Sequence, residues 1–202
     1  MRPNHLTAII GVVLLLVAGA GLGAIEEKPQ ASHTGALKFH VSFPLHNGSE
    51  GTAGSVSDGA TVTTIINVNH PNITFLALKV IWRDNAPRLT SAATVSVQMA
   101  DPNGTQVGTG SGSDGTTGFT INGGAQTNAP ADYDLKANSL TQAWQKVLDA
   151  NPSNSNGTGG WKITVSATRG GFHPLRKGSV DINLEMLNTT YQAEVKLVEA
   201  AK

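Results

Sequence analysis

Residues 161–167 read WKITVSA, a run in which apolar and polar side chains alternate. Trp161, Ile163 and Val165 fall two positions apart, so an extended chain places them on one face. A strand of an antiparallel sheet shows this period when one face packs on a core and the other meets water. The run therefore predicts a half-buried antiparallel strand.

Runs of similar composition lie on both sides of this strand, with turns rich in Gly, Pro and Asn between them. Eight short strands separated in this way are typical of a β-sandwich or jelly roll. The sequence therefore predicts an all-β fold, an antiparallel, jelly-roll-like β-sandwich. Residues 104–130 are polar and Gly-rich and are expected to form a hairpin with loops. The seven other predicted strands are Ala36–Phe43, Thr61–Val68, Asn72–Trp82, Ala93–Met99, Phe119–Ile121, Val180–Met186 and Thr190–Val198.

One inserted helix is predicted between these strands. Ser139 is a suitable N-cap, and the pair Asn151-Pro152 ends the helical pattern. Trp144 is expected to anchor the helix in the core, beside Trp82 and Trp161. The apolar residues at helical spacing are Leu140, Ala143, Trp144, Val147 and Leu148.

The N-terminus has a different composition. Residues 6–25, LTAIIGVVLLLVAGAGLGAI, carry no charge and would span about 30 Å as a helix, the thickness of a bilayer core. Arg2 precedes this hydrophobic helix and small residues end it, which is typical of a secretory signal peptide. An uncleaved signal anchor fits the same residues. Either reading places the rest of the chain outside the cell, at the surface or in the medium.

Three segments follow from this pattern: a signal peptide or signal anchor at 1–25, a polar linker at 26–35, and an extracellular β-sandwich domain at 36–202. Five Asn-x-Ser/Thr sequons are consistent with export, and several fall where turns are expected. The candidate glycosylation sites are Asn47, Asn72, Asn103, Asn156 and Asn188.

Composition argues against several functions. Fourteen Lys and Arg balance fourteen Asp and Glu, so the chain lacks the excess positive charge of a nucleic-acid binder. The absence of cysteine excludes thiolate nucleophiles and cysteine-type metal sites. Neither H-E-x-x-H nor G-x-S-x-G occurs. We therefore expect a protein with no catalytic activity and no catalytic or cofactor-binding residues.

The remaining motifs have structural interpretations. Residues 110–115 match G-x-G-x-x-G, but no helix pattern follows, so a flexible loop explains the glycines. Asp101-Pro102-Asn103-Gly104 has the composition of a tight turn. Asp84, Asp101 and Asp114 are the candidate calcium ligands, with Asp132 and Asp134 as a second set. The six scattered histidines form no metal-ligand pattern, and residues 169–177 form a basic loop.

Four segments together resemble a known group of domains: VIWRD at 80–84, TVSVQMADPNGTQV at 94–107, GGWKITVSATRGG at 159–171 and GSVDINLEM at 178–186. They are similar to the jelly-roll accessory domains of secreted peptidases, namely the proprotein-convertase P-domain and the pre-peptidase C-terminal domain. The resemblance covers residues 72–190 and implies a β-sandwich that stabilises or targets something outside the cell. The helix at 139–150 departs from that pattern, and no calcium ligand is carried over.

Two functions are compatible with these features. The first is an extracellular binding or recognition module without catalytic activity, with surface proteins or polysaccharide as partners. The alternative is a structural subunit of a surface layer or filament that assembles by strand pairing, with residues 26–43 completing a neighbour's sheet. A hydrolase built from loops is a third hypothesis, which perturbed carboxylates in one cleft would favour. The membrane is a further partner through residues 6–25 if that segment is retained.

Overall fold

A computed structural model of the chain describes residues 36–85, 92–170 and 178–199. These residues form eleven strands and one helix. In chain order they are β1 (Leu37–Ser42), β2 (Leu45–Ser57), β3 (Thr61–Val68), β4 (Ile73–Asp84), β5 (Ala93–Ala100), β6 (Gln106–Gly112), β7 (Phe119–Ala125), β8 (Tyr133–Ala137), α1 (Leu140–Ala150), β9 (Gly159–Arg169), β10 (Ser179–Tyr191) and β11 (Glu194–Glu199).

Eight of the described strands form two four-stranded antiparallel sheets. One sheet has the order β2-β10-β4-β7 and the other has the order β3-β9-β5-β6. The chain crosses repeatedly from one sheet to the other, so strands adjacent in sequence are mostly not adjacent in a sheet. Two four-stranded sheets connected in this way are the arrangement of a jelly roll. The structure thus confirms the all-β, jelly-roll-like sandwich with one inserted helix.

The core lies between these two sheets and follows the predicted alternation. Trp161 is 1% exposed and Trp82 is 4% exposed, as expected for core anchors. The apolar residues of β9 and β10 that fall two positions apart are all buried. Other buried members of this core are Ile73, Leu76, Leu78, Val80, Val95, Val97, Met99, Ile121, Ile163, Val165, Val180, Ile182, Leu184 and Met186.

A third sheet, of order β11-β1-β8, extends the sandwich at one end. Strand β1 runs almost directly into β2, and β10 into β11. Leu45 pairs with Tyr191 on one side of the junction, and Ser42 pairs with Glu194 on the other. The amide of Gln192 donates to the carbonyl of Pro44 at 3.3 Å and bridges the interruption. One long two-stranded ladder therefore belongs to both the sandwich and the third sheet.

Helix α1 packs beside the third sheet and begins as predicted. The Ser139 hydroxyl accepts a hydrogen bond from the Gln142 amide at 3.2 Å, and Asn151 caps the other end. Ala143 and Val147 are buried against β1. The prediction that Trp144 is a core anchor is wrong, because this side chain is only half-buried. Leu148 is 57% exposed, so the predicted apolar face is wider than the face that the sheet covers.

The sequence reading missed three of the described strands: β2, β6 and β8. Strand β2 reads LHNGSEGTAGSVS, in which most residues are Gly, Ser, Thr or Ala, and shows little alternation. Strand β6, predicted to lie within a loop region, reads QVGTGSG. The last predicted strand, 190–198, is divided in the structure between the end of β10 and β11, and Leu197 is 52% exposed rather than buried.

Strand β6 has glycines at positions 108, 110 and 112 because side chains from the facing sheet lie against it. A Cβ at Gly110 would lie 2.6 Å from the Phe119 ring, and one at Gly112 would lie 3.0 Å from Trp82. The rings of Trp82 in β4 and Phe119 in β7, in the facing sheet, therefore occupy the space that side chains of β6 would need. The G-x-G-x-x-G match at 110–115 is part of this packing and of the turn after β6.

The β1–β8 pair carries an acid-sensitive contact. Asp134 Oδ2 lies 2.7 Å from Lys38 Nζ, and its Oδ1 lies 2.9 Å from His40 Nδ1. Hydrogen bonds from Lys38 and then from His40 hold the pKa of Asp134 below its ordinary value of 3.8. A lowered native pKa stabilises the fold above the unfolded pKa, and this contribution is lost as the pH falls through the native pKa.

We therefore expect Asp134→Asn to be slightly less stable than the unchanged chain at neutral pH, since the exposed pair contributes little. The difference should shrink once the pH falls below 3.8 and disappear below the lowered native pKa. Urea unfolding midpoints measured at about pH 7 and about pH 2.5 test this. A difference of the same size at both pH values would show that Asp134 acts through something other than its charge.

Among the residues that the structure describes, no helix is long and apolar enough to cross a bilayer. The segment 1–25, predicted as a signal peptide or signal anchor, lies outside the described residues, as does the linker 26–35. Both remain predictions.

Candidate functional site: the free edge of β2

Strand β2 is the longest uncovered edge among the described strands. It pairs with β10 along all thirteen of its residues, and no other strand of the described residues pairs with it. Ten of the thirteen residues are exposed; only Val56 is buried, and Glu50 and Thr52 are half-buried. Backbone N–H and C=O groups on this free side are available to another extended chain.

The composition of β2 leaves this edge unprotected. Residues 47–55 read NGSEGTAGS, with Glu50 as the single charged side chain and no proline. Natural edge strands are usually blunted by lysines, prolines, bulges or short length. Strand β2 has none of these features, and its ladder with β10 runs without a register shift.

A polar cluster fixes β2 near the sandwich end. Asn188 is 3% exposed, and its Nδ2 donates to Glu50 Oε2 at 2.7 Å. His70 Nε2 lies 2.8 Å from the other oxygen of that carboxylate. A Cβ at Gly48 would lie 2.9 Å from Asn188 Oδ1, so glycine allows the buried amide to lie against the β2 backbone. These contacts hold the edge in place from its inner side.

A groove of about 1190 Å³ lies over the outer face of the same sheet. Ile81, Arg83, Asp181 and Asn183 form its floor, and the turn 113–116 forms part of its wall. Among the described lining residues, the aromatic one is the buried Trp82. The described part of the groove is therefore not rich in the aromatic or acidic side chains expected of a polysaccharide or cation binder.

Asp84, a candidate calcium ligand, is engaged by the protein itself. Arg169 Nη1 donates to Asp84 Oδ2 at 2.6 Å, and Nη2 donates to Oδ1. The Ala93 amide donates to the same carboxylate at 3.0 Å. The Arg169 side chain is 6% exposed, and its pKa is raised chiefly by the hydrogen bonds to Asp84. The pair ties the end of β4 to the end of β9.

Asp101 and Asp114 also serve local structure. The Asp101 carboxylate accepts from the amides of Asn103 and Thr105, and Gly104 has a φ of 84°, which confirms the predicted tight turn. Hydrogen bonds from Thr116 lower the pKa of Asp114.

The structure does not bring Asp84, Asp101 and Asp114 together. No three histidine, aspartate or glutamate side chains within the described ranges are close enough to share a metal ion. In the second candidate set, Asp132 Oδ1 accepts from the Phe43 amide at 3.2 Å and Asp134 binds Lys38 and His40.

Carboxylates with shifted pKa values do not form a cleft either. The pKa values of Asp114, Asp134 and Glu194 are all lowered, each mainly by a neighbouring hydrogen-bond donor. A general acid needs a raised pKa instead. The arrangement that would favour a hydrolase is therefore not found among the described carboxylates.

The five sequon asparagines differ in accessibility. Asn103 and Asn156 are exposed in turns, and Asn47 is exposed on β2. Asn72 is half-buried, has a φ of 58°, and accepts from the Asn154 amide at 2.8 Å. Asn188 is buried with its amide bonded to Glu50, which leaves no space for a glycan on the folded chain.

Several remaining motif residues lie outside the described part of the chain. These are His5, His33 and His173, together with residues 171–177 of the basic loop. The described histidines each have a local setting: His40 binds Asp134, His70 binds Glu50, and His46 is exposed on β2.

Comparisons with known proteins add little to this description. No protein-family model matches the chain, and no curated protein matches it. The resemblance to P-domains and pre-peptidase C-terminal domains therefore extends to the jelly-roll type of fold and no further.

Matches among solved structures are distant. The crystal structure of FLHE is 8% identical, covers 71% of this chain and 96% of its own, and has a TM-score of 0.29. The infectious bursal disease virus Gt strain structure is 13% identical, with coverages of 78% and 38% and a TM-score of 0.30. Desmodium yellow mottle tymovirus is 14% identical, with coverages of 80% and 86% and a TM-score of 0.22. The jelly-roll assignment rests on the strand order and not on these values.

Proposed function

We propose that this protein is a non-catalytic structural module of the cell surface or extracellular space that joins a neighbouring protein by strand addition along β2. The single observation behind this proposal is the exposed, uninterrupted and nearly uncharged free edge of that strand. Main-chain hydrogen bonds give the affinity in this mode of recognition, and small side chains let the incoming backbone approach closely.

The proposal changes one element of the strand-pairing hypothesis. Residues 26–43 were expected to detach and complete a neighbour's sheet. In the structure, β1 pairs with β11 on one side and β8 on the other, and its Phe39 and Val41 are buried. Releasing β1 would expose these side chains, so the edge of β2 is the better candidate for assembly.

A second candidate function is recognition of a ligand in the groove over β4 and β10. Its support is the volume of the groove and the mixed charge of Arg83 and Asp181 at its floor. Replacing Ile81 with tryptophan would fill this groove from β4, a strand that does not pair with β2. A recognition module would then lose its ligand while assembly through β2 stayed intact, which separates the two functions.

The edge is tested with the double variant Ser49→Lys and Ala53→Lys. Both residues are exposed and lie on the outer face of β2. Edge lysines are the usual protection against strand addition, so we expect the complex containing the full natively expressed chain to be lost. Sedimentation of detergent-extracted membrane and medium fractions measures the complex. Slower amide exchange of residues 45–57 in the complex would locate the contact.

The matched control is Thr94→Lys with Gln98→Lys. These residues are exposed on a central strand of the other sheet and carry the same added charge. The control should sediment with its complex like the unchanged chain. Equal loss in both variants, or no loss in the β2 variant, would overturn the proposed function.

A further inference from the structure

We infer that the strand added at β2 is β2 of a second copy of this chain, paired antiparallel about a two-fold axis at Gly51. This inference rests on the proposed function and names the partner of the same edge. A two-fold contact uses one surface twice, so the surface must be complementary to itself. The sequence of β2 can therefore be tested for that property residue by residue.

Charge is the first requirement. With Gly51 opposite Gly51 of the second copy, Glu50 faces Thr52 of the second copy, and His46 faces Val56 of the second copy. No like charges are directly opposite, which would be destabilising. A register shifted by one residue toward the N-terminus, about Glu50, would place the two Glu50 carboxylates face to face. The whole chain also has zero formal net charge, so two copies do not repel at long range.

Shape is the second requirement. On the outer face, Ser49 meets Ala53 of the second copy, and Asn47 meets Ser55 of the second copy. On the inner face, Gly48 meets Gly54 of the second copy. A Cβ added at Gly54 would find no atom within 4 Å. Small side chains on both strands let the backbones reach the spacing of about 4.8 Å that a sheet requires.

Length is the third requirement. Strand β2 runs from Leu45 to Ser57, and Gly51 is its middle residue. Pairing about Gly51 is the one register in which all thirteen residues find a partner, with Leu45 opposite Ser57 of the second copy. Leu45 is 59% exposed, and this pairing covers part of it.

The geometry also limits the size of the assembly. Joining two copies through β2 produces one continuous eight-stranded sheet, with β7 at each end. Strand β7 has seven residues, and its register with β4 shifts between Leu76 and Ala77. Shifted registers and short strands discourage further pairing, so this sheet ends with the dimer.

The absence of cysteine makes the register directly measurable. In the proposed dimer, Ser49 lies opposite Ala53 of the second copy, so the double variant Ser49→Cys and Ala53→Cys should form two intermolecular disulfides under mild oxidation. The same two positions within one strand are about 13 Å apart, too far for a disulfide. Each single variant should remain uncrosslinked. Its cysteine and the same cysteine of the second copy would also lie about 13 Å apart, too far for a disulfide.

The two single-cysteine variants report other registers. A disulfide formed by Ser49→Cys alone would indicate an axis at residue 49, and one formed by Ala53→Cys alone would indicate an axis at residue 53. Either result overturns the Gly51 register. Crosslinking is read from the mass of the purified full chain, which doubles from 20.9 kDa in the dimer.

Charge pairs provide an independent measurement on the unoxidised protein. Ser49→Lys with Ala53→Lys puts lysines opposite each other twice, and we expect the dimer dissociation constant to rise about tenfold or more. Ser49→Glu with Ala53→Lys instead puts opposite charges together twice and should dimerise at least as well as the unchanged chain. Equal weakening in both variants would overturn the inference.

The two proposals fail in different ways. If the purified chain stays monomeric and the paired cysteines do not crosslink, while lysines on β2 still remove the native complex, the partner is another protein and only this inference fails. If lysines on β2 leave the native complex unchanged, the proposed function itself fails.

Discussion

Replacing Gly118 with alanine is expected to lower the free energy of unfolding by about 3 kcal/mol. Gly118 has a φ of 63°, in the left-handed region that a side chain makes unfavourable. An added Cβ would also overlap the carbonyl oxygen of Val80, in the strand that pairs with β7. Relief of that overlap requires movement of the backbone, because neither atom belongs to a flexible side chain. Urea unfolding of the purified chain measures the loss.

Gly124 provides the matched control for this substitution. Its φ is 83°, but an added Cβ would find no atom within 4 Å. Gly124→Ala should therefore lower the free energy of unfolding by only about 1–2 kcal/mol, the cost of the left-handed conformation. The difference between the two variants isolates the overlap with β4. If both variants lose the same amount, the close approach of Gly118 to Val80 does not exist in solution.

Replacing Trp161 with alanine is also expected to have a large effect, lowering the free energy of unfolding by about 3–5 kcal/mol. Trp161 is 1% exposed at the centre of the main core, and its Nε1 donates to the Gly157 carbonyl at 2.8 Å. Alanine removes the indole, leaves a cavity between the two sheets, and removes the donor to Gly157. The measurement is the midpoint and slope of urea unfolding.

Trp144→Ala serves as the control for Trp161, because Trp144 is half-buried beside the third sheet and lies outside the main core. Trp144→Ala should lower the free energy of unfolding clearly less than Trp161→Ala does. A larger loss at Trp144 would restore the sequence-based expectation that the helix anchors the core. Trp161→Phe should keep most of the apolar surface buried. It should lower the free energy of unfolding by about 1 kcal/mol, because the hydrogen bond to the Gly157 carbonyl is lost.

Alternation of side chains along β4, β5, β9 and β10 was sufficient to predict where these strands lie and which face is buried. Each combines a period of two with β-branched residues, so local pattern and tertiary burial agree. Helix α1 was predicted from apolar residues at helical spacing and from its N-cap at Ser139, although its apolar face is only partly covered. The Asp101 turn was predicted because proline and glycine restrict its backbone in a known way.

The candidate site lay beyond this kind of reasoning. Strand β2 is held by its ladder with β10 and by the contacts of Glu50, and these partners are distant in the sequence. Small polar residues in that position predict a loop when read locally. A signal was nevertheless present: residues 45–57 contain no proline and a single acidic residue, which is unusual for a surface loop of that length.

The contact of Asp84 with Arg169 could not be predicted from the sequence for a related reason. Asp84 and Arg169 are 85 residues apart, and nothing in the sequence near either one indicates their contact. The sequence alone does not distinguish an aspartate that accepts hydrogen bonds in a turn from one that binds a distant arginine. The pairing of Ala93 with Arg169, and the hydrogen bond from the Ala93 amide to Asp84, place the two charged groups together.

The ladder that runs through β1–β2 and β10–β11 determines how the molecule responds to mechanical load. Lys38 and Glu199 face each other at its open end, so a force that separates the two chain ends would peel the pairs apart one at a time. A force between the N-terminus and a protein attached along β2 acts in a different direction, parallel to the strands. All the hydrogen bonds between β2 and the added strand then resist together, so a tether at the N-terminus and a contact at β2 would form a connection that resists shear.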